Sequence, residues 1–344
     1  MQSDLKLCQP SGLKKRIHIR GQETKLGQQV TYLQGADEMS RLPALAAKGI
    51  RYALIGIPES IGPRANYGQK GAERAWDVFL NAFLNMQSNR FLQGTSLLCL
   101  GQIDTGELNQ KADQLDPASK DYIPAMRELC RQLDDIVLPV IQAVFEAGLV
   151  PVVIGGGHNN TLPILKAGFK SLQRGYNVLN IDPHADLRPR EGRHSGNGFS
   201  YAMSQGYLSR YFILGLHEAY NTEFVVDKII QSQHIGYYPF LAEKDLLSGM
   251  DAACHFLKQL NAPVGLELDM DAIAGMPASA YTPSGISLED ARLLIRQIPR
   301  QIPIRYLHLA EAAPHSDPHS CMKAGKSLAY LVYDFIQSHQ RHCP

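Results

Sequence analysis

Six cysteines stand singly at Cys8, Cys99, Cys130, Cys254, Cys321 and Cys343 with no C-x-x-C among them, which excludes a zinc ribbon and a thioredoxin-type redox pair. Reduced thiols in a cytosol are the simplest reading. Net charge is almost missing as well: 34 Lys and Arg face 33 Asp and Glu, leaving +1. No global field therefore draws nucleic acid or an anionic membrane, and a charged partner has to be recognised locally. Long apolar runs are absent. The most apolar long stretch, 136–154, is broken by Gln142 and Glu146 and contains Pro139 and Pro151, short of the ~18 uninterrupted apolar residues of a membrane span. The first 26 residues are punctuated by Asp4, Lys6, Lys14, Lys15 and Arg16 and lack the apolar core of a secretion signal. There is no internal repeat, no low-complexity tract and no Pro/Ser-rich linker long enough to separate a pair of domains.

What is present is a composition near the globular average, 44% apolar and 19% charged over 344 residues, which argues against disorder and against coiled coils. Short aliphatic or β-branched runs alternate with longer amphipathic stretches, the pattern of parallel strands joined by helical crossovers. Strands are expected over 52–57, 97–100, 150–154, 178–181, 211–214, 264–268 and 304–310. Most are continuous apolar runs, as strands buried on both faces require. Helices are expected over 72–85, 125–147, 161–171, from 237 or later to 260, 288–297 and 327–338, with the single Trp76 packed inside the first. The expected organisation is one domain over 1–344 with an N-terminal extension of about 1–50. In such sheets, ligands bind beyond the carboxyl ends of the strands, so polar residues just after each apolar run are the first candidates.

The run ending at Ile154 is followed by Gly155, Gly156, Gly157 and His158. A glycine turn permits close backbone approach to a ligand, although one such His is more often a cap or a structural residue. After Ile181 come Asp182, His184 and Asp186, which in an extended chain point to one side. Two carboxylates and an imidazole held close are costly unless a cation sits between them. After Leu268, Asp269 and Asp271 are again two apart, with Glu267 of the same parity but further back in the strand. Each group alone is explicable as a solvated turn; three strand ends together are not. The four aspartates carry four negative charges and His158 and His184 supply neutral nitrogens, so two divalent cations balance the set if some carboxylates bridge. Oxygen-rich sites with two imidazoles and no thiolate suit Mn²⁺, and a paired site activates water for hydrolysis. Glu311, after the last run, is placed to bind a cationic substrate group such as a guanidinium or formamidinium.

These motifs resemble those of the ureohydrolase superfamily, which contains arginase, agmatinase and formimidoylglutamase. Gly155-Gly156-Gly157-His158 resembles its Gly-Gly-Asp-His, Asp182-Pro183-His184-Ala185-Asp186 its Asp-x-His-x-Asp, and Asp269-Met270-Asp271 its Asp-x-Asp. The resemblance implies a three-layer α/β/α fold around a mostly parallel sheet of about eight strands, assembly into a homo-oligomer, and two Mn²⁺ per subunit. It implies His158, Asp182, Asp186 and Asp269 around one ion and His184, Asp182, Asp269 and Asp271 around the other, with Asp182 and Asp269 bridging.

Departures choose among members. Ser195-Gly196-Asn197 is followed by Gly198-Phe199 and not by the Leu-His-Gly of arginases; Ala272-Ile273-Ala274-Gly275 follows Asp271; and Gly157 stands where an Asp is usual. Asp186-Leu187-Arg188 and the segment from Gly62 to Gly68 resemble the formimidoylglutamase branch. The expectation is a cytoplasmic enzyme of histidine degradation that hydrolyses N-formimidoyl-L-glutamate to glutamate and formamide. In it Arg64, Arg188, Asn197 and Glu311 bind substrate and His194 protonates the leaving amine. A bidentate Arg suits the substrate's carboxylates. Arg190 and Arg193 are expected on a solvated loop face, and His315 and His319, flanked by Pro314 and Pro318, are not expected to bind metal. The alternatives are an agmatinase, an arginase or another guanidino-compound hydrolase, and, from another class, a non-catalytic metal-binding or structural family member.

Overall fold

A computed structural model describes residues 4–33, 35–240 and 245–343. Nine strands form one sheet: β1 (Leu5–Leu7), β2 (Tyr52–Gly56), β3 (Leu97–Ile103), β4 (Val150–Ile154), β5 (Tyr176–Ile181), β6 (Leu208–Leu216), β7 (Ile235–Pro239), β8 (Val264–Asp269) and β9 (Ile304–Ala310). Their spatial order is β1-β3-β2-β4-β9-β8-β5-β6-β7. All neighbours pair in parallel except β1, which runs antiparallel to β3. Every residue of β2, β5 and β8 is buried, as helices on both faces require.

Alternate residues of each strand feed two apolar layers. Leu54, Val152, Ile154, Leu266 and Leu307 pack with helices Ala75–Phe83, Leu246–Lys258, Leu288–Gln301 and Pro318–His342. Ala53, Ile55, Val153, Val178 and Ile213 pack on the opposite face with helices Tyr122–Glu146 and Thr161–Leu172. The result is a three-layer α/β/α fold. Among the described residues, no helix is long and apolar enough to cross a membrane.

The sheet has nine strands where about eight were expected. The two unforeseen strands are its edges: β1 has three partly exposed residues, and β7 (Ile-Gly-Tyr-Tyr-Pro) is mostly half-buried. Neither carries the continuous apolar run of a central strand. The helix expected from 237 or later to 260 is instead β7 and then Leu246–Lys258, with 241–244 outside the described residues. The last helix begins well before 327, at Pro318, where Asp317 accepts the Ser320 N–H at 2.9 Å and Pro318 takes the first-turn position that needs no N–H.

Candidate metal centre

The site is built where β4, β5, β8 and β9 end. Beyond β4 the chain turns through Gly155 (φ 82°) and Gly156 (φ 68°), a left-handed conformation that favours glycine. A Cβ at Gly156 would collide with Asn160 Nδ2, and one at Gly157 with Pro63 Cδ, so neither position has room for a side chain. The loop's carboxylate comes from elsewhere. Buried Glu59 accepts the N–H of Gly157 at 2.7 Å and of Gly62 at 3.0 Å, and the Asn160 amide at 2.7 Å. These bonds place His158 at the start of a single turn, His158–Asn160, that leads into helix Thr161–Leu172.

His158 Nδ1 lies 3.2 Å from Asp182 Oδ2, 3.1 Å from Asp186 Oδ2 and 3.2 Å from Asp269 Oδ2. His184 Nδ1 lies 3.2 Å from Asp271 Oδ2 and 3.6 Å from Asp182 Oδ1. The six residues thus form two adjoining donor sets, His158–Asp182–Asp186–Asp269 and Asp182–His184–Asp271. Asp182 offers a different oxygen to each. Asp269 falls in the first set through Oδ2, while its Oδ1 accepts the Asp271 N–H at 2.9 Å, just as Asp182 Oδ1 accepts the His184 N–H at 2.7 Å. His315 and His319 are exposed and lie outside both sets.

The electrostatics call for a cation. Burial pushes the Asp269 carboxyl well up, and the charges of Asp271 and Asp182 push it further; burial likewise raises Asp186 and Asp271. Asp182 is lowered, because His158 and His184 overcome the effect of its burial. His158 Nδ1 and Asp271 Oδ1 are buried without a hydrogen-bond partner among the described residues. Buried polar atoms are ordinarily paired, and carboxylate oxygens with imidazole nitrogens and no thiolate are donors that divalent Mn accepts. The donor set therefore fits a pair of such ions.

Above these donors opens a cavity of about 450 Å³ whose lining includes His184, Asp186, Asp269, Asp271, Glu311 and Arg188. Glu311 is held at φ 64° by its N–H to Gly156 O at 3.0 Å. One of its carboxylate oxygens accepts the His158 N–H at 2.7 Å and the other accepts the Ser279 hydroxyl. Burial and then the charge of Asp269 push Glu311 up to about 8. Arg188, exposed on the same lining, donates to Asn66 Oδ1 at 2.7 Å.

Three expected site residues are not brought to this cavity. Arg64 turns away to Asp113 Oδ1 at 2.8 Å, Ala112 O at 2.8 Å and the Tyr122 hydroxyl at 3.2 Å. Asn197 is buried and bonded within its own loop: its oxygen accepts from Arg193 and from His194 N, and its amide donates to Pro189 O and Gly192 O. His194 is buried outside the lining, with Nδ1 accepting the Gly196 N–H at 3.2 Å. Burial, reinforced by Arg127, Arg188 and Arg193, pushes it down to about 3. The same surroundings disfavour the imidazolium that protonation of a leaving amine would call for. Arg193 is not on a solvated face either; it is buried, with Nε 2.7 Å from Asp134 and Nη2 2.7 Å from Asn159 O. Arg190 is exposed as expected.

Sequence reasoning missed Glu59 and Ser279, each of which binds a site residue from a distant loop without a local signal. It noted the parity of Glu267 but not its partners: Glu267 accepts from Thr161 Oγ1 and the Tyr306 hydroxyl, each at 2.7 Å.

A model of the arginase family matches residues 50–335. A formimidoylglutamase of Enterobacter sp. (strain 638) is 30% identical over 280 residues, 77% of this chain and 79% of that one. Among solved structures, formimidoylglutamase from Bacillus subtilis subsp. subtilis str. 168 superposes with a TM-score of 0.74 at 15% identity, covering 95% of each chain. A Trypanosoma cruzi formiminoglutamase solved with Mn²⁺ gives 0.70 at 16% identity, over 92% of this chain and 98% of that one.

Proposed function

The chain belongs to the arginase family, and from that premise we propose that it is a two-manganese hydrolase that cleaves the formimino C–N bond of N-formimidoyl-L-glutamate, giving glutamate and formamide in histidine degradation. The observation that carries this reading is the cavity whose lining brings His184, Asp186, Asp269, Asp271 and Glu311 together with Arg188. A substrate with a cationic formimino group at one end and two carboxylates at the other matches that distribution of charge. Agmatine, with an amine at its far end, does not.

In this reading His158, Asp182, Asp186 and Asp269 hold one ion and Asp182, His184 and Asp271 the other, with Asp182 bridging. Bound there, the metal pair supplies Lewis acidity and an activated water. The chain's own residues do the rest. Glu311, oriented by Ser279 and by the His158 N–H, pairs with the formimino nitrogens and fixes the carbon over the donor sets. Arg188, steadied by Asn66, takes a substrate carboxylate and sets the distance from the other end. Water's oxygen ends on the formimino carbon, the bond from that carbon to the glutamate nitrogen breaks, and the nitrogen leaves as the amine with a proton from water. The relatives' name, formimidoylglutamase, supports this choice of substrate.

The test is release of glutamate and formamide from N-formimidoyl-L-glutamate by Mn²⁺-treated protein, with agmatine and arginine assayed alongside. Turnover of the first alone is expected. Turnover of agmatine or arginine in its place would overturn the substrate assignment.

A further inference from the structure

Behind His158, on the side away from the three aspartates, lies a second buried polar group. The ring's Nε2 faces Glu267 Oε2 at 3.5 Å, longer than a formed hydrogen bond, and has no hydrogen-bond partner among the described residues. Glu267 is itself held at three points: Thr161 Oγ1 and the Tyr306 hydroxyl donate to Oε1 at 2.7 Å each, and His308 Nδ1 lies 2.5 Å from Oε2. In the β8–β9 register Glu267 stands directly opposite His308, and His308 Nε2 reaches back to Gly155 O at 3.5 Å, in the turn that delivers His158. All of these side chains are fully buried.

A buried carboxylate surrounded by donors is a weak source of stability, since desolvation offsets much of the attraction. Its placement has a more specific consequence. With a cation held between Nδ1 and Asp182, Asp186 and Asp269, the proton of the neutral ring would sit on Nε2, where Glu267, a carboxylate that only accepts, is the group it faces. His158, Glu267 and His308 have donor atoms within 4.8 Å of one another and could be taken for a metal site of their own. The 2.5 Å contact between His308 and Glu267 is a hydrogen bond, however, and leaves no space between them for an ion.

We propose that Glu267 is a positioning residue for the first donor set: through Oε2 it fixes the tautomer and ring angle of His158, while Thr161, Tyr306 and His308 fix Glu267. The inference rests on the two-metal reading above. It makes β8 the source of a metal ligand, Asp269, and two residues earlier on the same face, of the group that orients another strand's ligand.

The test is Mn²⁺ binding by the metal-stripped full chain, wild type against Glu267→Gln and Tyr306→Phe, followed as free Mn²⁺ by electron paramagnetic resonance, with thermal unfolding of each apo form recorded. Wild type is expected to bind two ions. Glu267→Gln is expected to weaken one of them by about 10- to 100-fold, to leave the other unchanged, and to recover turnover when Mn²⁺ is raised to saturation. Tyr306→Phe, which keeps the carboxylate and removes one brace, is expected to weaken the same ion by a smaller factor and decides the matter if Glu267→Gln does not fold. General structural damage would weaken both ions together. Two ions bound by Glu267→Gln as tightly as by wild type, or by Tyr306→Phe where only that variant folds, would overturn the role of Glu267 and leave the two-metal reading standing. Failure of the wild type to bind two ions would overturn both.

Discussion

At Arg188 the guanidinium lines the cavity with Asn66 as its partner, whereas Arg64, from the other segment that resembled the formimidoylglutamase branch, is held against Asp113, Ala112 and Tyr122. Arg64 sits in the short helix Ile61–Ala65 and Arg188 in a loop, and the rotamers of both answer to neighbours that lie 48 to 122 residues away in the chain. Removing a hydrogen bond to a charged group costs about 1.5–3 kcal/mol, so Arg188→Ala is expected to raise KM for N-formimidoyl-L-glutamate about 10- to 100-fold with a smaller effect on kcat. Arg64→Ala is expected to leave KM unchanged. Steady-state kinetics on the two variants separates them, and the reverse pattern would return Arg64 to the site. Gly157 is a residue of the same kind. Its departure from the family's Gly-Gly-Asp-His reflects the Pro63 ring packed where a Cβ would go, with Glu59 supplying the loop's carboxylate.

Among the elements, helix Pro318–His342 is tied to the sheet by one histidine. His339 Nε2 donates to Ile304 O at 2.7 Å, where β9 begins, which leaves Nδ1 to accept from the Tyr52 hydroxyl at 2.9 Å, where β2 begins. The Tyr52 bond needs the neutral ring, whereas the Ile304 bond is open to the charged ring as well. Burial, with Arg51 and Arg305 nearby, pushes His339 from an ordinary 6.5 down to about 4, against the Ile304 bond that acts to raise it. Between those two values the unfolded chain binds a proton that the folded chain does not. Stability is therefore full above about pH 6.5 and falls as pH drops toward 4, by about 3 kcal/mol if this group acts alone. Urea unfolding from pH 7 to pH 4 is expected to show a flatter decline for His339→Gln than for wild type. Parallel declines would mean that this contact does not set the acid limit.

Across the whole molecule, strands that are fourth, ninth, eighth and fifth in the chain become neighbours in the sheet, β4-β9-β8-β5, and their carboxyl ends form one row. Metal held there would join segments more than 80 residues apart and relieve the crowding of three buried aspartates and the half-buried Asp186. A ligand that binds only the folded state stabilises it by about 2.7 kcal/mol at a hundredfold excess over its Kd, so Mn²⁺ is expected to raise the unfolding temperature and a chelator to lower it. An unfolding temperature indifferent to both would count against the two-ion centre. The continuous apolar runs that become β2, β4, β5, β8 and β9, and the donors set just beyond three of them, were legible in the sequence because a central parallel strand and its terminal ligands are local patterns. The edge strands β1 and β7 were not, since a strand with one face half-exposed carries no such run. Nor was the fate of His194 and Asn197, which are buried and bonded within their own loop, or of Arg64, which is taken up by Ala112, Asp113 and Tyr122 of two helices. The same holds for Glu267, whose parity was visible but whose partners Thr161, Tyr306 and His308 lie 106, 39 and 41 residues away. Residue type and strand-end position were enough to mark a candidate metal centre; which side chains face the cavity, and which stand behind the candidate ligands, was decided only when the sheet order brought distant strand ends together.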